Sequence, residues 1–462
     1  MLIRIVCRCA LALLLLSLCA PCIAQQNSLR LKDLLAAVRS NAPSLQTDSA
    51  SVRIRQAQEE AVRINRLPAL RLNYQVNAGT NNNLPGGYFA NGIVPGNSRV
   101  RIEGNSSTAL GDLGIAGFDW EIYNFGKFEA EKDAVHADLL TEQFKLEQSK
   151  YNLQAYTISY YLQLLRLGNL LSIQSLNIDR NSEIRRSIQS LAQSGIIAGV
   201  DTSIAEAELS KARLNYLELS NQFRQVQLLL GTISGIDPAT IIPDTLFTQK
   251  LLSYYAFEST AVFDTASHPS IQFYQSIYNS SQLKERLIEK SYNPKVLLQG
   301  AVWGRGSSIS AADQFRDLSK GLGFERGNYL VGVGVTYNIF DNKRKKLQLT
   351  TQKASTVYAA KELDEQRALL DLSIRQSEAD LQISLERLRE IPHQLEAAQA
   401  AYRQKLSLYK NGLTNIVDLN AAVSLLYRAE TDYINANYNY CKALFQKAVN
   451  ENQVDALLNS LN

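Results

Sequence analysis

Histidine is the side chain best suited to metal ligation and to proton transfer near neutral pH. This 462-residue sequence has three, His136, His268 and His393, spread far apart. They form no H-x-x-x-H pair, and no acidic cluster at ligand spacing accompanies them. His268 precedes Pro269 at a helix start, the setting of a turn residue. No Walker loop, G-x-S-x-G elbow or nucleotide fingerprint appears. Gly332-Val333-Gly334 is no phosphate cradle, because no helix opens within the next few residues. The expectation is a protein that is not an enzyme, with no catalytic residue, no metal site and no cofactor.

The informative polar side chains alternate with apolar ones. Arg71, Asn73, Gln75 and Asn77 interleave with Leu70, Leu72, Tyr74 and Val76. Asp119 and Glu121 stand opposite Gly114, Ala116, Phe118, Trp120 and Ile122, and Lys295 and Gln299 stand opposite Val296, Leu298, Gly300 and Val302. In a fourth run Tyr329, Val331, Val333, Val335 and Tyr337 alternate with Gly332, Gly334, Thr336 and Asn338. A period of two makes each run a strand with one apolar and one polar face. Strands of about 10 residues suit a tilted crossing of a hydrocarbon layer. The polar partners then face a wet lumen. Trp120, Tyr123, Trp303, Tyr329, Tyr337 and Phe340 sit near strand ends, where an aromatic girdle belongs.

These strands are set in a duplicated plan. The first repeat, residues 25–265, reads as a helix over 29–65 interrupted at Asn41-Ala42-Pro43. A hairpin over 69–123 with a loop over 79–113 follows, then a long helix over 127–194, a return helix over 201–230 and an irregular linker over 231–265. The second, residues 266–462, reads as a helix over 270–291, a hairpin over 295–338 with a loop over 304–328, a long helix over 343–410, a return helix over 418–448 and a tail. A 68-residue helix would span roughly 100 Å. Each long helix ends at a glycine followed six residues on by Val-Asp: Gly195-Ile-Ile-Ala-Gly-Val-Asp201 and Gly412-Leu-Thr-Asn-Ile-Val-Asp418. Ala205, Ala212 and Tyr216 match Ala422, Ala429 and Tyr433 at the same offset. Glycine permits the left-handed turn ending a long helix, and Asp201, Thr202 and Asp418 are candidate caps for the next.

Residues 1–24 read as a secretory signal. Arg4 and Arg8 precede an apolar stretch over 10–20, and Cys22-Ile23-Ala24 precedes a start at Gln25. An anchor that stays attached is disfavoured, the apolar run being too short to span. Lipidation at Cys19 or Cys22 is disfavoured by Leu18 and Pro21, which sit where a small residue is needed. Cleavage removes Cys7, Cys9, Cys19 and Cys22, leaving Cys441 without a disulfide partner. It also takes the formal net charge from +4 to +2, which gives no case for nucleic acid. Lys343, Arg344, Lys345 and Lys346 open a helix against its dipole, and read as a solvated face or a patch near lipid phosphates or the lumen.

A barrel's width grows with strand number, so four strands cannot enclose a pore; three chains supplying 12 can. Threefold symmetry also lets the long helices close a hollow cylinder. The fold class expected is an α+β membrane protein, a trimeric 12-stranded β-barrel continuous with a long α-helical tunnel. A soluble periplasmic coiled-coil scaffold is the alternative. It explains the helices and leaves the strands without a role.

The duplicated plan, Asn41-Ala42-Pro43, Tyr337-Asn-Ile-Phe-Asp341 leading into Lys343-Arg344, and Asn411-Gly-Leu-Thr-Asn-Ile-Val-Asp-Leu419 together resemble the TolC family of outer-membrane efflux channels. The resemblance covers nearly all of the mature chain. It implies a homotrimer in outer-membrane lipid with a periplasmic extension. It also implies a passive exit duct for a tripartite pump or type I secretion system, driven by an inner-membrane pump. Carried over by position, contact with the periplasmic adaptor falls on Gly195, Val200 and Asp201, and on Gly412, Leu413, Thr414, Val417 and Asp418.

Overall fold

The structure, a computed structural model, describes residues 28–80, 102–194, 199–253 and 265–461. In chain order the helices and strands are α1 (Leu31–Asn41), α2 (Pro43–Ile64), β1 (Ala69–Thr80), β2 (Thr108–Tyr123), α3 (Lys127–Gln193), α4 (Gly199–Ser234), α5 (Thr245–Ser253), α6 (Pro269–Ser291), β3 (Lys295–Ser307), β4 (Arg326–Thr336), α7 (Asn342–Lys410), α8 (Ile416–Asn450) and α9 (Val454–Ser460). The two long helices have 67 and 69 residues and the two return helices 36 and 35. The chain divides into a sheet unit (Ser51–Gln143, Tyr274–Leu363) and a helical unit (Met1–Ala50, Phe144–Phe273, Asp364–Asn462).

In the sheet unit the strands follow chain order, β1-β2-β3-β4, and every pairing is antiparallel. β2 and β3, from different repeats, pair directly, so one sheet joins the two halves of the duplication. Residues in register project from the same side of a sheet. Leu70, Phe118, Gly300 and Val331 therefore share one face, as do Leu72, Ala116, Val302 and Tyr329. Asp119, Gln299 and Gly332 share the other. A bulge between Glu121 and Tyr123 shifts the register, so that Tyr123 rather than Ile122 faces Val296. β1 is exposed along its whole length, and β4 nearly so.

The expected loop over 304–328 is partly structured. β3 runs on to Ser307, Ile309 bridges Phe315, and Leu318–Leu322 forms a 3-10 turn. This returning segment lays the Phe324 ring on the apolar face, where a Cβ at Gly114 or Gly304 would approach it to 2.5 or 2.8 Å. Tyr74 meets the same ring edge-on at 6.1 Å and donates its hydroxyl to Asp112 at 3.2 Å. Of the expected loop over 79–113, both ends are strand, and residues 81–101 lie outside the described residues.

In the helical unit, Leu34, Leu164, Leu167, Leu230, Ile241 and Leu444 are fully or almost fully buried in one core. Tyr161 is its polar pin: its hydroxyl donates to the Leu29 carbonyl at 2.8 Å and accepts from the Asp244 amide at 2.9 Å. Burial pushes the phenol up to about 12. α8 presents Ile416, Leu419, Val423, Leu426 and Ala429 at helical spacing, all buried.

Two boundaries differ from the sequence reading, and the long second helix runs unbroken as read. The linker over 231–265 holds the end of α4 and the whole of α5, whose Leu251 is fully buried in the core. The tail contains α9, with Val454 and Leu457 buried. α7 passes through Pro392, which removes one backbone hydrogen bond without ending the helix.

Candidate channel faces and hairpin tip

The nominated lumen residues lie on one face of the sheet, and those near the helix-proximal end form a network. Arg71 pairs with Asp119, whose other oxygen accepts from Gln299 Nε2 at 2.8 Å. Lys295 reaches Glu121 at 3.4 Å across the next strand pair. Pleating brings these charges together from three strands, because residues two apart on one strand return to the same face. Asn73 and Gln75 lie further along, in register with Ile115 and Leu113, and Gln75 donates to Asn77 at 3.0 Å. The face is thus charged at one end and mixed at the other.

The nominated girdle residues do not all share a face. Tyr329 stands in register with Val302, and Tyr123 with Val296, on the apolar side. Trp120 pairs with Leu298 on that side and donates its indole N–H to the Arg66 carbonyl at 2.9 Å. Tyr337, exposed, directly follows β4. Trp303 departs from the expectation: its register partners are Ile115 and Asn328, so it lies on the face of Gln299 and Asp119. Alternation within β3 already separates Trp303 from Val302, so its position near a strand end was a misleading signal.

At the second tip, Gly412 has φ +71, the left-handed conformation glycine adopts at least cost. Its N–H bonds to the Tyr409 carbonyl at 3.0 Å, and the Leu413 N–H to the Leu408 carbonyl at 2.9 Å. These two bonds close the helix end in a Schellman turn. Asn415, not Asp418, caps α8, its Oδ1 accepting from the Asp418 amide at 2.8 Å. The Asp418 carboxylate accepts from Lys405 Nζ and Thr414 Oγ1, each at 3.0 Å. The hydrogen bond from Lys405, then that from Thr414, holds its pKa below the usual carboxylate value. Leu413 and Val417 are 72% and 64% exposed.

At the first tip, Gly195 lies outside the described residues. α4 begins at Gly199, so Asp201 and Thr202 stand inside its first turn rather than at its cap. Val200 is 61% exposed. A small core of Ile184, Ile188, Ala205, Tyr409, Ile416 and Leu419 joins the two hairpins. Burial, then the charge of Asp201, raises the Tyr409 phenol.

The sequence reading missed Arg180 and Glu430, a largely buried bidentate pair at 2.6 and 2.9 Å between α3 and α8. Their distance along the chain left no local signal. Asn415 did carry one, an Asn directly before the first helical residue, overshadowed by the repeated Val-Asp.

His268 is buried, accepts the Ser270 amide on Nδ1 at 3.2 Å, and has its pKa lowered mainly by burial. No cluster of His, Cys, Asp and Glu among the described residues could hold a metal ion. No described helix is long and apolar enough to cross a membrane.

Residues 34–235 and 290–446 match the family described as outer membrane efflux protein. No curated protein matches the chain. Among solved structures it is similar to the CmeC outer membrane channel of Campylobacter jejuni, with 14% identity and a TM-score of 0.74 over 93% of this chain and 89% of that one. It is similar to the outer membrane protein VceC of Vibrio cholerae, with 13% identity and a TM-score of 0.71 over 91% and 95%. It is also similar to the MtrE outer membrane channel of Neisseria gonorrhoeae in its open state, with 17% identity and a TM-score of 0.67 over 92% and 89%. A mostly helical chain with a four-stranded antiparallel sheet is thus the fold of these outer-membrane channels. The matched segments contain all four strands, the first helical hairpin and all but the last four residues of the second, and the chain belongs to the outer membrane efflux protein family.

Proposed function

We propose that three copies of this chain close a 12-stranded barrel in the outer membrane and that their helices continue it as a periplasmic tunnel. The duct is passive: an inner-membrane pump or type I secretion system supplies the energy, and an adaptor docks at the tips. The observation that carries this reading is the sheet. β1 and β4 each pair on one side only among the described residues, and both are exposed. An exposed edge of unpaired backbone groups is a template for another strand, and in hydrocarbon every such group must be paired, which only closure achieves. Joining β4 of one copy to β1 of the next would pair both edges.

The faces support the same arrangement. Leu70, Leu72, Val302, Val331, Val333 and Val335 are exposed on the apolar side and would meet lipid, while Arg71, Asp119, Glu121, Lys295 and Gln299 would line the lumen. Charges of both signs there favour permissive passage over selection of one ion.

The test is conductance. Purified full-length protein inserted in a planar bilayer should give long-lived steps consistent with a wide, weakly selective pore. Absence of conductance together with release from membranes by salt alone would favour the soluble scaffold.

A further inference from the structure

We propose that the stretch from Val335 to Lys346, where β4 passes into α7, is a docking surface for the anionic headgroups of phospholipids. The proposal rests on the barrel reading, which puts the exposed apolar side of β4 in lipid.

Two adjoining surfaces meet here. One is apolar: Phe340 is 96% exposed and Ile339 70%, and Val335 and Tyr337 continue the exposed apolar side of β4. The other is cationic: Lys343, Arg344, Lys345 and Lys346 occupy the first turns of α7. Arg344 pairs with Asp341 at 3.3 Å, and the three lysines have no ion pair among the described residues. Four adjacent cations at the positive end of a helix dipole repel one another and oppose the dipole. Among the described residues Asp341 alone offsets part of that cost through its pair with Arg344, so an external anion is the natural counterpart of the three lysines. Apolar side chains beside a cationic cluster fit a bilayer boundary, with rings at the acyl level and ammonium groups at the phosphates.

The other strand-to-helix passage shows that such charge is not demanded by the turn. At Asn124-Phe125-Gly126 the following helix opens with Lys127, Glu129, Glu131 and Lys132, of mixed sign. Phe125 there packs edge-on against Tyr123 at 4.8 Å instead of standing free. Phospholipid is chosen over lipopolysaccharide because the cluster lies at the helix-leading ends of the strands, away from the 309–325 loop at the opposite end of β3 and β4.

The experiment measures lipid retained by detergent-purified full-length protein, by native mass spectrometry after incubation with phosphatidylglycerol, phosphatidylcholine or lipopolysaccharide. With each surface cation favouring an anionic lipid surface, wild type should retain phosphatidylglycerol over phosphatidylcholine by roughly tenfold or more. The Lys343→Gln/Lys345→Gln/Lys346→Gln variant should bring that ratio to within about twofold of one. An equal removal of charge elsewhere, Arg403→Gln/Lys410→Gln/Arg428→Gln, should leave it unchanged. The wild-type preference should also fall as salt rises to about 0.5 M, which needs no variant to fold. Equal retention of the two phospholipids, equal loss in both variants, insensitivity to salt, or a preference for lipopolysaccharide would each overturn the proposal. Conductance and particle mass, measured on the same preparations, report on the barrel separately: if both match a trimeric channel while lipid preference is absent, this proposal alone fails.

Discussion

The two hairpin tips carry the same Gly…Val-Asp motif and are wired differently. At the second, Asp418 is held by Lys405 and Thr414, and Asn415 caps the helix. At the first, the residues at the same offsets are Ile188, Ile197 and Ala198, none able to make those bonds. Ile188 is fully buried in the core between the hairpins. Asp201 has no ion pair among the described residues, and its charge is felt by Tyr409 of the other hairpin. Duplication has thus kept the motif while the side chains fastening it diverged. The second tip is secured by its own residues. The first carries the Asp201 carboxylate, with no ion pair among the described residues, beside the exposed Val200.

The largest effect should come from what fastens one hairpin to the other. Arg180 and Glu430 form the pair in only one of two possible copies, since the matching positions are Ala397 and Arg213. Arg180→Ala leaves Glu430 largely buried without its partner and should cost about 3 kcal/mol in denaturant unfolding, most of it recovered in Arg180→Met/Glu430→Leu. A loss below about 0.5 kcal/mol would mean the hairpins are joined by their apolar core alone.

Next is the turn itself. Gly412→Val forces a branched residue to φ +71, at a cost of about 1–2 kcal/mol that falls on the tip alone. Export should be lost while assembly persists, as read by substrate efflux and by particle mass. Normal export would show that this turn is not a docking element.

A smaller change sharpens the contrast. Asn415→Ala should remove about 1 kcal/mol of capping at the second tip. Installing the equivalent asparagine, Ala198→Asn, should slow amide exchange at the start of α4. Equal exchange at the two tips in wild type would erase the distinction.

The smallest effect is a pH dependence. Because Lys405 and Thr414 hold the Asp418 pKa below 3.8, their contribution is complete above that value and is lost as pH falls through the lower folded value. Amide exchange at Ile416–Leu419 should quicken there in wild type, and Lys405→Gln should move the transition upward. An unshifted transition would mean that Lys405 does not hold this carboxylate.

The strands and long helices were legible in the sequence because their periods are local. Alternation over 70–77 and 329–337 needs no partner strand to be seen, and helices of this length leave few other readings. What stayed hidden depends on partners remote in sequence. The bulge at Ile122 is set by the register of β2 against β3. α5 is nine residues long, sits just after Pro238 and Pro243, and is held by burial of Leu251 against the core. At the tips, position was readable and wiring was not: Lys405 and Asp418 lie on different helices, and the shared aspartate drew attention from the asparagine that caps. Trp303 shows the limit of reading girdles by proximity to a strand end, since the face is decided by parity within the strand.

Particle mass tests the central claim most directly. Outer-membrane protein extracted in mild detergent and measured by light scattering, corrected for bound detergent, should have the protein mass of three mature chains, the number that gives 12 strands and pairs β4 of each copy with β1 of the next. A stable particle of one chain would contradict it, because four strands with two open edges cannot line a pore.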